Sequence, residues 1–148
     1  MDKRERKSRL KDIIKMVDKC IVDTEKHDKA LMIETQEKIE DLHWYFEQNC
    51  IVPDSFDPEE MMKEILVDYF NHDTQIVRIR KNIEFLADDI CDHMKEMEEG
   101  SNREDWEEFY DHLTYLSGFL YIEENEINNI EEFMKNINEL KNGLQDLI

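Results

Sequence analysis

The chain has 148 residues, 40% of them hydrophobic, which is enough for one domain with a buried core. Its formal charge of −19 sets it against nucleic-acid backbones and anionic lipid, and no stretch approaches the roughly 20 apolar residues of a membrane span. Three Gly and two Pro leave few turns, while 39% charged residues suit solvated helices, so the expectation is an all-α single domain over residues 1–148. The N-terminal "MDKRERKSRLKDIIKMVDK" lacks the apolar run and small-residue cleavage site of a secretory signal, so a cytoplasmic protein is expected; Cys20, Cys50 and Cys91 are far apart and form no CxxC, which argues against a disulfide framework or a cysteine zinc site.

Residues 2–50 contain neither Gly nor Pro, and Leu10, Ile14, Val17, Ile21, Leu31, Leu42 and Tyr45 form a helical stripe. Its middle, "DTEKHDK" at 23–29, has no apolar side chain. A break there is the alternative to a continuous helix, and continuity is favoured because every residue in the window tolerates helix.

The second helix is expected over 58–99. Asp57 can cap it, Pro58 fits the first helical position, and Glu60 follows the cap by three. Met62, Ile65, Tyr69, His72, Ile76, Ile79, Ile83, Leu86, Ile90, His93 and Met97 recur at steps of three and four. That spacing predicts that the polar run "NHDT" at 71–74 is helical. His72 then becomes a polar seam position that fixes register, with Asp68 one turn before it.

Gly100 ends this helix, and Ser101 with Glu104 has capping-box spacing for a third at about 102–148. Trp106, Phe109, Leu113, Leu116, Leu120, Glu123, Ile127, Ile130, Met134, Ile137, Lys141, Leu144 and Ile148 mark its seam. Gly118 lies inside, where a kink or a close crossing would justify it. The simplest architecture is an elongated antiparallel bundle of three long helices with coiled-coil-like packing, on the order of 60 to 70 Å long. A homodimer seam is the alternative use of such heptads.

Charge is uneven along the chain. Residues 1–19 hold eight basic and four acidic side chains, so the other 129 residues carry −23. Antiparallel packing would set this basic start beside the acidic peak at 84–111, where twelve acids face Lys95 and Arg103. Part of the basic run is then used within the molecule, which removes the usual nucleic-acid reading of a Lys/Arg segment. The functional expectation is a non-enzymatic inhibitor or adaptor that presents a nucleic-acid-mimicking carboxylate surface to a basic protein. Its contact residues would be Asp88, Asp89, Asp92, Glu96, Glu98, Glu99, Glu104, Asp105, Glu107 and Glu108. The plainer reading is that carboxylates on outer helix faces keep a protein soluble. A secondary docking patch is expected at Trp44, Phe46, Phe56, Met61 and Phe70, since aromatic and Met side chains dominate binding hot spots.

Metal and catalytic readings are weaker. Four of five histidines follow an acid by four residues, a spacing that puts both on one helix face. If a metal were bound, Asp89, His93, Glu108 and His112 would be its ligands, because His93 and His112 meet across the second turn. His43 and Glu47 resemble a fragment of a hemerythrin-like site, but no HxxxH accompanies them. The acids of the second helix are spaced by four, not in the Glu-x-x-Glu pattern of all-α nucleotide pyrophosphatases. No G-x-S-x-G or Gly-rich phosphate loop is present. No cofactor is therefore expected, and a metal-carboxylate protein or metal-dependent nucleotide hydrolase stands only as the alternative.

Overall fold

The computed structural model describes residues 1–125 and 127–148, leaving aside the side chains of Glu123 and Glu124. The expected seam position at Glu123 thus lies outside the described residues. Among those described, every regular element is helical.

Helix α1 spans Lys3–Asp23, with the Asp2 carboxylate accepting from the Glu5 N–H at its start. A π turn, Thr24–Asp28, carries it without interruption into α2, Lys29–Gln48. The Lys29 N–H donates to Thr24 O, five residues back. The apolar-free window therefore stays helical and absorbs one residue by widening.

Helix α3, Pro58–His72, begins as its sequence dictates: the Asp57 carboxylate accepts from the N–H groups of Glu59 and Glu60, with Pro58 at the first position. It ends where the sequence spacing had placed the middle of one helix. Asp73 is extended (φ −69°, ψ 119°), and its carboxylate accepts from Gln75 N at 2.9 Å and Ile76 N at 3.1 Å, opening α4, Thr74–Lys95. The core stripe of α3 is Met62, Leu66 and Phe70, not Met62, Ile65 and Tyr69. Continued unbroken, it would bring polar Asp73 or Thr74 inward. Breaking the chain instead turns an unfavourable buried carboxylate into a cap. His72 is exposed and pairs with exposed Asp68 at 3.4 Å, so its expected role in fixing a seam is overturned.

The expected third helix also divides. Helix α5, Ser101–Ser117, passes through a 3-10 turn at Gly118–Leu120 and an extended Tyr121; α6, Ile122–Asn125, and α7, Ile130–Asp146, follow. Asn125 holds the reversal by donating its side-chain amide to Tyr121 O and Gly118 O. Asn129 caps α7 through Glu132 N, and Glu132 in turn accepts from Asn128 N. The Asn129-to-Glu132 spacing is a capping-box signal that an unbroken heptad count passes over.

The chain therefore doubles back where a third long helix would have run on. Helices α1, α4, α5 and α7 form a four-helix bundle in which α1 neighbours α4 and α7, and α5 closes the ring. Arg9 with Asp89 near one end and Gln75 with Asp23 near the other run α1 antiparallel to α4, and Lys141 meets Asp18 where α7 packs on α1. Ile76, Ile79, Ile83, Leu86 and Ile90 of α4 meet Trp106, Phe109, Leu113 and Leu116 of α5 in one core with Ile130, Phe133, Ile137, Leu140 and Leu144 of α7. Gly118 stands at the break between α5 and the 3-10 turn, and Gly143 makes a close crossing, since a Cβ there would lie 3.1 Å from Leu116 Cδ1 and overlap Cδ2.

Helices α2 and α3 extend beyond this bundle as a hairpin. At its base Tyr69 donates to Asp28 Oδ2 at 2.7 Å and lies 3.4 Å from the buried Thr24 hydroxyl, while Gln75 Nε2 donates to Asp23 Oδ2 at 3.0 Å. Phe133 stacks edge-on against both Tyr69 and Phe70. The π turn and the α3/α4 break thus sit at one level and are tied across it.

Candidate functional site: the acidic α4–α5 hairpin

Helix α4 ends at Lys95, and the chain turns through Glu96–Gly100 into α5. Gly100 takes φ +155° and is the N-cap residue; Ser101 is already helical and forms no side-chain cap, contrary to the capping-box expectation. A short turn between two helices that share an apolar seam leaves their polar faces outward. All ten acids expected at this hairpin are accordingly exposed.

They divide into two groups. Asp89 accepts from Arg9 at 2.6 Å, and Asp105 is 3.4 Å from both Lys3 and Arg6. Asp92 is 3.5 Å from Lys95, and Glu107 accepts from Arg103 Nε at 3.1 Å. The other six, Asp88, Glu96, Glu98, Glu99, Glu104 and Glu108, make no ion pair among the described residues. They give the hairpin a surplus of uncompensated negative charge.

The basic start of α1 meets this acidic segment, as antiparallel packing requires, and among the described residues Lys3, Arg6 and Arg9 engage it. Arg6 does most: its guanidinium lies 4.4 Å from the Trp106 ring centre and 4.1 Å from that of Phe109, closing the lower end of the core. Arg4, Lys7, Lys11, Lys15 and Lys19 remain exposed on the outward face of α1. Sequence reasoning placed the basic run here but did not single out Arg6. Its position one turn before the first buried leucine, Leu10, is the signal that could have.

The four residues named for a metal do not converge. His93 packs on Trp106, with ring centres 4.6 Å apart, Asp89 is engaged by Arg9, and Glu108 and His112 are exposed. No group of three His, Cys, Asp or Glu side chains among the described residues is arranged to hold a metal ion.

The aromatic patch is partly assembled. Phe46 lies edge-on to Phe56 at 5.0 Å, His43 is 5.7 Å from Phe56, Met61 is half-buried and Trp44 is exposed. Phe70 does not belong to it: only 2% exposed, it packs on Phe133 in the core. Its position in the Met62, Leu66, Phe70 stripe explains the correction.

No protein-family model matches the chain, and no curated protein or solved structure is significantly similar to it. What stands on its own geometry is an all-α acidic helical protein. No helix among the described residues is long and apolar enough to cross a membrane.

Proposed function

We propose that this protein is a non-enzymatic inhibitor or adaptor that binds a macromolecular partner through the carboxylates of the α4–α5 hairpin. The partner in this reading is a protein whose basic surface ordinarily holds nucleic acid, and the binding takes place in the cytoplasm. The observation that carries it is the set of six exposed, uncompensated carboxylates at one end of the four-helix bundle. Such groups raise the local negative potential, steer a basic surface toward the hairpin and penalise acidic competitors. Direct binding of nucleic acid or anionic membrane is disfavoured by the net charge of −19.

The test is affinity capture from native cell extract, with the proteins retained identified by mass spectrometry. The wild-type chain should retain a basic protein at low salt and release it as salt rises. Reversal of Glu96, Glu98, Glu99 and Glu104 to Lys should lose that protein without loss of helicity, because all four side chains are exposed.

A further inference from the structure

We propose that the groove between α2 and α3, on the side away from α6 and α7, receives one cationic amphipathic α-helix of a partner protein. This rests on the partner-binding reading above and gives it a second contact surface.

The groove follows from the doubling back of the chain at 118–129. Below the π turn four helices enclose the core, whereas above it α2 and α3 have only the α6 and α7 N-terminal region against one side. There, Gln36, Ile39 and Met62 line the same cleft as Asn128 and Asn129, and Val67 and Phe70 lie beside Leu120 and Ile122. Among the described residues, no other helix packs substantially on the opposite side. On α2, positions 31, 35, 38, 42 and 45 recur at steps of four and three, a stripe adjacent to the one that carries buried Met32 and Ile39. Its apolar members stay open: Leu31 is 62% exposed, Tyr45 52% and Leu42 41%. The facing flank of α3 supplies half-buried Met61 and Ile65. An apolar face of this kind on a soluble chain marks an interaction surface.

Two features select the occupant. The first is shape: a trough between two antiparallel helices of 20 and 15 residues accepts a third helix of similar length, as in helix-in-groove recognition. The second is charge. Helical spacing places Glu34 and Asp41 on the α2 lip and Glu64 and Asp68 on the α3 lip, all exposed; Lys38 in the floor stripe is drawn to Glu34 at 3.0 Å and His72 lies 3.4 Å from Asp68, so Asp41 and Glu64 carry the surplus negative charge. A helix with an apolar stripe flanked by Lys or Arg satisfies floor and lips together. A second copy of this chain would bring the same carboxylates and another −19 against them.

The probe is a fluorescein-labelled peptide of about 20 residues with Leu at heptad a and d positions and Lys or Arg at e and g. Its control is a scrambled peptide of identical composition. Fluorescence anisotropy with the full chain should give at least tenfold tighter binding for the ordered peptide, and circular dichroism should report added helix. Leu31→Ser with Leu42→Ser should weaken it at least tenfold; both sites are exposed, so unchanged circular dichroism of the free variant confirms its fold. Leu42→Ser alone provides a milder second variant. Reversal of the α4–α5 acids should leave the preference for the ordered peptide intact. Equal binding of both peptides, or no effect of the groove variants, overturns the groove. So does a concentration-dependent dimer in sedimentation that Leu42→Ser dissolves. Failure of the groove with capture still dependent on the α4–α5 acids leaves the proposed function standing. Capture indifferent to those acids removes the proposed function instead.

Discussion

Thr24 is the one buried polar residue among those described, and it sits where the π turn loosens the helix. Its hydroxyl lies 3.9 Å from Cys20 Sγ and 3.4 Å from Tyr69 Oη, so the widened turn brings a polar side chain to polar partners. Burial pushes the Cys20 thiol up to about 11 from an ordinary 9.0, and burial with donation to Asp28 raises Tyr69 in the same direction. Between pH 9 and 11 the unfolded thiol has lost its proton while the folded one keeps it. The unfolded state then binds fewer protons, so stability should fall as pH rises through this window, by up to about 1.4 kcal/mol per unit. Urea denaturation at a series of pH values checks this, and Cys20→Ala should remove the Cys20 share of the slope. A thiol reagent at pH 8 should label exposed Cys50 quickly and buried Cys20 only on unfolding. At Gly143 two effects oppose: Ala gains about 1 kcal/mol of helix propensity, but overlap with Leu116 costs typically 1–3 kcal/mol. The overlap reaches beyond the methyl tip, with Leu116 Cγ at 3.3 Å, so Gly143→Ala should be neutral to destabilising by about 2 kcal/mol. Thermal denaturation checks it.

The helix starts after Asp73 and Asn129 are decided by a cap competing with a heptad. Asp73 satisfies two N–H groups of α4, so Asp73→Ala should cost about 1 kcal/mol in chemical denaturation, and Asp73→Asn or Ser most of that less. A loss well below this would mean that core packing alone sets the break. The caps also explain which features were legible. Asp57–Pro58 reads directly as a helix start, and continuity of residues 3–48 follows from tolerant residues with no breaker. Burial of Ile76, Ile83, Trp106, Leu113, Ile130 and Ile137 follows from spacing, because an apolar residue at a seam position is buried whichever neighbour the seam meets. The breaks at 73 and 118–129 were hidden by that same spacing. A three-four pattern survives a break if the chain resumes in phase, and the local signals, Asp73 and the Asn129–Glu132 pair, are weaker than five heptads of Ile and Leu. The acidic hairpin was readable because a short turn between amphipathic helices leaves charges outward. The exposed apolar face of α2 was not, since it stays open only because the third arm folds back.

For the whole molecule, the continuous helix of α1 and α2 fixes the long axis. Its 46 residues span about 70 Å, while the expected second and third long helices are each divided, so four helices bundle below the π turn and α2 and α3 pair above it with α6 and the start of α7 on one side. Charge follows the same division. The lower end carries the uncompensated α4–α5 carboxylates beside a cationic outer face on α1, and the upper end carries exposed Leu31, Leu42 and Tyr45 flanked by exposed Glu34 and Asp41. The most direct test of the account is capture from native extract by the wild-type chain and by a variant with Asp88, Glu96, Glu98, Glu99, Glu104 and Glu108 reversed to Lys. The account predicts a basic nucleic-acid-binding protein that is retained by the wild type at low salt, released at high salt and absent from the variant. Retention of the same protein by both chains, independent of salt, would contradict it.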